Sequence, residues 1–230
     1  LMGSTAIVEF ESYAVSVAAA CEQIGAGKLL AGQSRVLVKP NLVTGTAYPV
    51  TTPAACCAAV IDFIRAHSSA EITIAEGTGD PCYDGMAIFD KLGYTRVAAE
   101  KGVELIDLNT APVIRLENPD CKRFPEFFMP EIAMNSFIIS VPVLKAHSLA
   151  GFTGTMKNMM GFAPPARSAG GGGGWNKAEF HIGIQQAIVD LNRYRRADLT
   201  IMDAAVGLPG SHLGGRPCNP PVNKILAGVD

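Results

Sequence analysis

Lys145 and His147 stand two residues apart at the end of an apolar run, and Lys157 follows in a stretch punctuated by Gly151, Gly154 and Gly161. The segment from Val141 to Phe162 reads VPVLKAHSLAGFTGTMKNMMGF. Its residue types suit the handling of an anion. Glycines let a backbone come close to a ligand. Thr153 and Thr155 sit where a helix through Met156 to Met160 should begin, and the free N–H groups of a helix start favour negative charge. Lys145 and Lys157 add cations, and His147 is suited to exchange a proton near neutral pH. A carboxylate or a phosphate is the ligand group this predicts. The bland alternative is a tight loop ahead of a packed helix. The segment is not a Walker A loop, because the paired Gly-Lys-Ser/Thr ending is absent, and Gly77-Thr78-Gly79 without a third glycine three residues on is a weak dinucleotide signal.

Such side chains need a frame. Short β-branched runs with little alternation occur at Val36–Lys39, Ile72–Ala75, Leu105–Ile106, Phe137–Val141, Leu199–Met202 and Ile225–Ala227; these predict strands buried on both faces. Helical patterns lie between them: Tyr13 to Ile24, Ala54 to Ala66 with Thr52 as N-cap and Pro53 at the first position, Met86 to Leu92 and Tyr94 to Lys101 broken at Gly93, and Ala178 to Tyr194 as the longest. The alternation predicts an α/β fold, a mostly parallel sheet with helices on both faces in three layers. Ligands of such sheets bind beyond the carboxyl ends of the strands. Lys39 and Asn41 follow one strand, Glu76, Gly77, Gly79 and Asp80 the next, Lys145 and His147 a third, Asp203 a fourth and Asp230 a fifth. Five strands are thus expected to deliver polar groups to one edge. Taken singly, Asn41 or Asp203 could equally be a cap or a turn former.

The chain is expected to form a single domain over residues 1–230, with a flexible glycine-rich loop at 163–177 that is either a lid or a disordered surface loop. An apolar strand at the very end predicts that the natural chain is truncated at its C-terminus here. Nineteen basic against 21 acidic residues, a net charge of −2, give no electrostatic case for nucleic acid or an anionic membrane. No apolar run approaches the roughly 20 residues of a membrane span. The apolar stretch Ala14 to Ala20 is flanked by Glu9, Glu11 and Glu22, so it does not resemble a signal peptide. The six cysteines include no Cys-x-x-Cys pair and predict reduced, mostly buried thiols in a cytoplasmic protein. His181 either caps a helix or enters the site. His212, in a glycine-rich turn, is expected to be a solvated loop residue, with a metal ligand as the alternative, and His67 to face a helix C-terminus. No histidine pair has helical ligand spacing, so a metal is left unknown.

Val36-Leu-Val-Lys-Pro-Asn41, Thr51-Thr-Pro53, Ala75-Glu-Gly77, Val141-Pro-Val-Leu-Lys-Ala-His147, Thr153-Gly-Thr-Met-Lys-Asn158 and Thr200-Ile-Met-Asp203 resemble the domain of unknown function 362 family, from about residue 6 to residue 230. The resemblance implies association with iron–sulfur modules. This chain has no clustered cysteines, so an iron–sulfur cluster could only be held by segments outside it. His147-x-x-Ala-Gly-Phe-Thr-Gly-x-x-Lys157 is also similar, over about a dozen residues, to a segment of the nickel-dependent lactate racemase family. That likeness implies an acid/base role for His147 and an anion or cofactor contact for Lys157; nickel itself stays speculative.

The expected function is an enzyme acting on a small anionic ligand. His147, Lys145 and Asp203 are its candidate catalytic residues. Lys39, Asn41, Gly77, Gly79, Thr153, Gly154, Thr155, Lys157, Asn158 and His181 are its candidate ligand contacts. The alternatives are a non-catalytic partner or scaffold for an iron–sulfur electron-transfer module, and a binding module without chemistry. A redox partner or homo-oligomer is left open.

Overall fold

A computed structural model describes residues 3–165 and 174–229. The chain begins β1 (Ser4–Glu9), α1 (Tyr13–Gln23), α2 (Ala26–Leu30), β2 (Arg35–Pro40), α3 (Ala54–His67) and β3 (Glu71–Glu76). It continues with α4 (Gly85–Lys91), α5 (Tyr94–Lys101), β4 (Glu104–Asp107), β5 (Val113–Glu117), β6 (Glu126–Pro130), α6 (Glu131–Met134) and β7 (Phe137–Val141). The last part holds β8 (Val143–His147), β9 (Gly151–Thr153), α7 (Thr155–Asn158), α8 (Ile184–Tyr194), β10 (Leu199–Leu208) and β11 (Lys224–Val229).

The main sheet has the order β1-β11-β10-β7-β2-β3-β4. From β10 to β4 every neighbouring pair is parallel. Successive residues of a strand face opposite sides of the sheet, and here both sides are apolar. Val36 and Val38 enter a core with Val17, Leu30, Val60 and Ile64 of the first three helices. Leu37 enters a second core with Phe127, Met129, Phe162, Phe180 and Leu191. Two separate apolar cores on one sheet give the expected three layers, α/β with helices on both faces.

Pro142 sets the geometry at the carboxyl edge of the sheet. It interrupts what would otherwise be one strand, because it has no N–H to give the ladder. The chain steps sideways there, its carbonyl accepting from the Asp203 N–H at 2.8 Å. Before the step β7 pairs β10 (Leu199↔Ile139); after it β8 does (Asp203↔Val143). β10 therefore runs beyond the sheet's carboxyl edge. It carries the β8–β9 hairpin, where Lys145 faces Thr153 and His147 faces Gly151.

Several expectations are corrected. Asp203 lies inside β10, not after a strand. β11 is antiparallel to β10, so its end at Val229 lies beside Ser4, away from the edge where Asp230 was expected; Asp230 itself falls outside the described residues. Thr52 does not cap α3. Pro53 holds the N-cap position, while the Thr52 hydroxyl accepts from Asn41 N–H at 2.9 Å and donates to Val141 O at 2.6 Å. The helix expected over 178–194 is broken at Gly183, with φ 60°, into a short 3-10 turn (Ala178–His181) and α8; α3, with 14 residues, is longer. β1, the β5–β6 hairpin and the β8–β9 hairpin went unpredicted. The glycine run of the expected 163–177 loop falls largely on residues 166–173, outside the described residues.

Candidate functional site

The carboxyl ends of β2 and β3 meet in a buried polar knot. Lys39 Nζ donates to both Glu76 carboxylate oxygens (3.0 and 2.9 Å), to Asn158 Oδ1 (3.2 Å) and to Pro40 O (3.2 Å). Asn158 Nδ2 in turn donates to Ser140 Oγ at 3.0 Å and Lys39 O at 3.3 Å. Glu76 also accepts from the backbone N–H of Gly77 (2.7 Å) and Leu42 (3.2 Å). Two charges can stay in such an interior because they pair and every remaining valence is satisfied. Glycine is needed where backbone crosses this knot. A Cβ on Gly161 would lie 2.0 Å from Glu76 Oε1 and 2.7 Å from Lys39 Nζ, and one on Gly77 would lie 2.2 Å from Gly161 O.

A cavity of about 540 Å³ opens above the knot, lined among the described residues by Asn41, Glu76, Lys157, Lys177, His181 and His212, and by apolar groups including Met160, Trp175 and Ile182. Lys145 sits behind Asn41. Its Nζ donates to Asn41 Oδ1 at 2.6 Å and to Val50 O at 2.5 Å. That bond fixes the amide so that its NH2 side is left for the cavity. Lys177 Nζ donates to Asn109 Oδ1 at 2.6 Å and to Ala163 O. Lys157 Nζ has no acceptor among the described residues, and it is charge-coupled to Lys39, Lys145, His147, His181 and His212.

The crowding of cations shows in the proton affinities. Burial, with the Lys157 charge second, brings Lys145 down to about 7. Burial, helped by the Lys39 charge, lowers Lys177 to about 7 against the pull of Glu76 and Asp107. Burial and Lys39 lower Lys157 to about 8. Burial lowers Lys39 too, opposed by Glu76.

His147 is buried, and its ring stacks with two others, His212 at 4.0 Å between centroids and His181 at 5.9 Å. His147 Nδ1 faces the backbone N–H groups of Leu149 and Ala150, both at 3.1 Å. An atom that accepts two N–H bonds carries no hydrogen, so the neutral ring bears its proton on Nε2. Nε2 is buried and has no partner among the described residues. Burial and then Lys157 lower His147 to about 4. Burial and then His147 lower His212 to about 3, and burial also lowers His181.

The sequence-predicted residues thus divide. Lys39, Asn41, Gly77, Gly79, Lys145, His147, Lys157, Asn158 and His181 gather at or just behind the cavity. Thr153, Gly154 and Thr155 do not line it. The Thr153 hydroxyl bonds Val143 O and Lys145 O inside the hairpin, the Thr155 hydroxyl bonds that of Thr200 at 2.7 Å, and a Cβ on Gly154 would face Phe152 and Met202. The helix they were expected to start is a four-residue turn, α7. Asp203 does not reach His147. It is fully buried on Tyr13 Oη (2.7 Å), Tyr48 Oη (3.1 Å) and Ala205 N–H (2.9 Å). Sequence reasoning brought Glu76 to the ligand edge without naming it a candidate contact, passed over Lys177, and left His212 in solvent. Glu76 carried a signal, since it closes a buried strand run. Lys177 and His212 carried none, because their loops reach the site only through the fold.

Fold and cavity define an α/β protein with a cation-rich pocket at the carboxyl edge of a parallel sheet. Residues 36–230 match the family described as domain of unknown function (DUF362), and the chain belongs to it. Among solved structures it is similar to the lactate racemase apoprotein from Thermoanaerobacterium thermosaccharolyticum, with 14% identity and a TM-score of 0.60, over 96% of this chain and 53% of that one. A structural-genomics target from Thermotoga maritima aligns at 12% identity and a TM-score of 0.45, over 80% of this chain and 49% of that one. The chain therefore spans about half the length of the structures it matches, and the likeness is one of fold. A comparison with curated proteins gives no match. No helix among the described residues is long and apolar enough to cross a membrane. Among the described residues no three His, Cys, Asp or Glu side chains are grouped to hold a metal ion.

Proposed function

We propose that the cavity binds a small anionic ligand, a carboxylate or a phosphate, and that the protein is an enzyme acting on it. The observation that carries this reading is the charge balance of the site. Lys157, Lys177, His181 and His212 line the cavity, Lys39, Lys145 and His147 lie just behind it, and Glu76 is already neutralised by Lys39. On top of burial, Lys157 depresses Lys145 and Lys39 depresses Lys157 and Lys177, and an anion placed among them offsets that repulsion. The Asn41 amide, turned by Lys145, adds a neutral donor.

The sequence likeness assigned proton exchange to His147. The hydrogen bonds support a narrower role, since its basic nitrogen is occupied by two backbone donors and only Nε2–H is left to offer. His147 then offers a neutral N–H from behind the cavity wall, as electrophilic imidazoles do elsewhere, and proton exchange falls to a group that lines the cavity.

The test is a thermal-shift and calorimetry panel of phosphate, phosphorylated metabolites and 2-hydroxy and 2-oxo acids, run on the wild type, Lys177→Ala and His147→Gln. At least one anion should raise the melting temperature, and Lys177→Ala should weaken its binding by tenfold or more. An unresponsive wild type, or variants that bind as tightly as it does, would overturn the reading.

A further inference from the structure

The site's four lysines are not equivalent. Lys39, Lys145 and Lys177 each donate to two or more oxygens, which holds each Nζ in place. Lys157 lines the cavity and has no acceptor among the described residues. Its backbone is nevertheless pinned on both sides, by the Thr155–Thr200 hydroxyl bond and by the three bonds of the Asn158 amide. Positive or ionisable groups face it from four directions: Lys39 on β2, Lys145 and His147 on β8, His181 on the 3-10 turn and His212 on the loop after β10. Burial and Lys39 hold its proton affinity near 8, so free amine is within reach at neutrality and grows as the pH rises to 8. An unpartnered amine on a cavity wall, carried by an anchored backbone, is an arrangement that suits a lysine to act as a nucleophile toward carbonyls, and a neighbouring cation is a known means of activating it.

We propose that Lys157 condenses with the carbonyl carbon of a 2-oxo acid bound in the cavity, an inference that rests on the anion-binding reading above. Lys157 Nζ attacks the carbonyl carbon and a C=N bond replaces C=O. The oxygen leaves as water with the two amine hydrogens. The neighbouring carboxylate supplies the charge that the Asn41 NH2 and the remaining cations hold. The apolar wall of Met160, Trp175 and Ile182 admits a substituent on the far side of the carbonyl.

Incubation of the intact protein with pyruvate or phenylpyruvate in the presence of cyanoborohydride, followed by peptide mapping, tests this. One reduced adduct on Lys157 is expected, forming at least tenfold faster than on the exposed Lys28 and Lys122 and faster at pH 8 than at pH 6. Lys157→Arg and Lys157→Met should lose it while keeping the wild-type circular dichroism. Adducts spread over surface lysines, or centred on Lys145 or Lys177, would overturn the proposal. So would binding of the 2-oxo acid in the thermal-shift assay with no adduct, an outcome that leaves the anion-binding reading standing. If no anion binds at all, both readings fall.

Discussion

Lys39 Nζ bridges both oxygens of the Glu76 carboxylate at 3.0 and 2.9 Å, and neither side chain has meaningful contact with solvent. The pair joins β2 to β3 where the sheet ends, and it positions the Asn158 amide and the Leu42 N–H as well. Breaking a buried pair leaves a lone charge, which costs about 3–5 kcal/mol. Glu76→Gln and Lys39→Met should each lower unfolding free energy by about that amount in urea titrations. The Lys39→Met/Glu76→Leu double variant should lose less than the sum of the two, because no unpaired charge remains.

Anion binding should weaken with alkali. Lys145 and Lys177 titrate near 7 and Lys157 near 8 in the folded protein, so raising the pH through that range removes the charges that hold an anion. The increase in melting temperature given by phosphate should be larger at pH 6.5 than at pH 9.

Stability of the ligand-free protein should move the opposite way. These lysines have folded values below their ordinary 10.5, so the unfolded chain binds more protons between about pH 7 and 10.5. Their contribution to stability therefore rises with pH across that window. The histidine contribution follows the same logic lower down. His147 near 4 and His212 near 3, against an ordinary 6.5, lose stability as the pH falls from 6.5 towards those values. Denaturation midpoints measured from pH 4 to 10 check both arms, and His147→Gln should flatten the acid one.

Gly161→Ala should act on the same knot by sterics alone. The added methyl would overlap Glu76 Oε1 and Lys39 Nζ, and overpacking of this kind costs about 1–3 kcal/mol. Gly32→Ala, where a Cβ meets nothing within 4 Å, should leave the melting temperature unchanged. Equal effects of the two substitutions would argue against a close approach at Gly161.

Asp203→Asn separates framework from site. Its carboxylate holds Tyr13 and Tyr48 to β10 and makes no bond to His147. The substitution should lower stability and leave anion affinity, measured by calorimetry, within twofold of wild type.

The sequence by itself determined the layers and most of the site's charges. Runs such as Val36-Leu-Val, apolar at every position, can only be strands covered on both sides, and a parallel sheet then brings Lys39, Asn41 and Gly77 to one edge. The local context of Lys145, His147 and Lys157 marked a segment whose charged groups come to lie at or just behind the cavity. Only the tertiary structure decided how those groups are used. Pro142 shifts the chain from β7 to β8, which carries Lys145 and His147 out along β10; a proline in an apolar run does not announce that it will re-pair with a neighbour 60 residues away. Asp203 looked like a strand-end acid because the length of β10 depends on β8 and β11 lying beside it. The antiparallel course of β11 is likewise set by pairing partners, not by its own residues. Thr52 has the residue type of a cap, but the nearby Asn41 N–H and Val141 carbonyl take its hydroxyl. His212 and Lys177 come from loops whose composition says nothing of where they land. Charge type and strand burial are local properties of the chain, whereas direction, register and hydrogen-bond partners depend on which other segments pack against it.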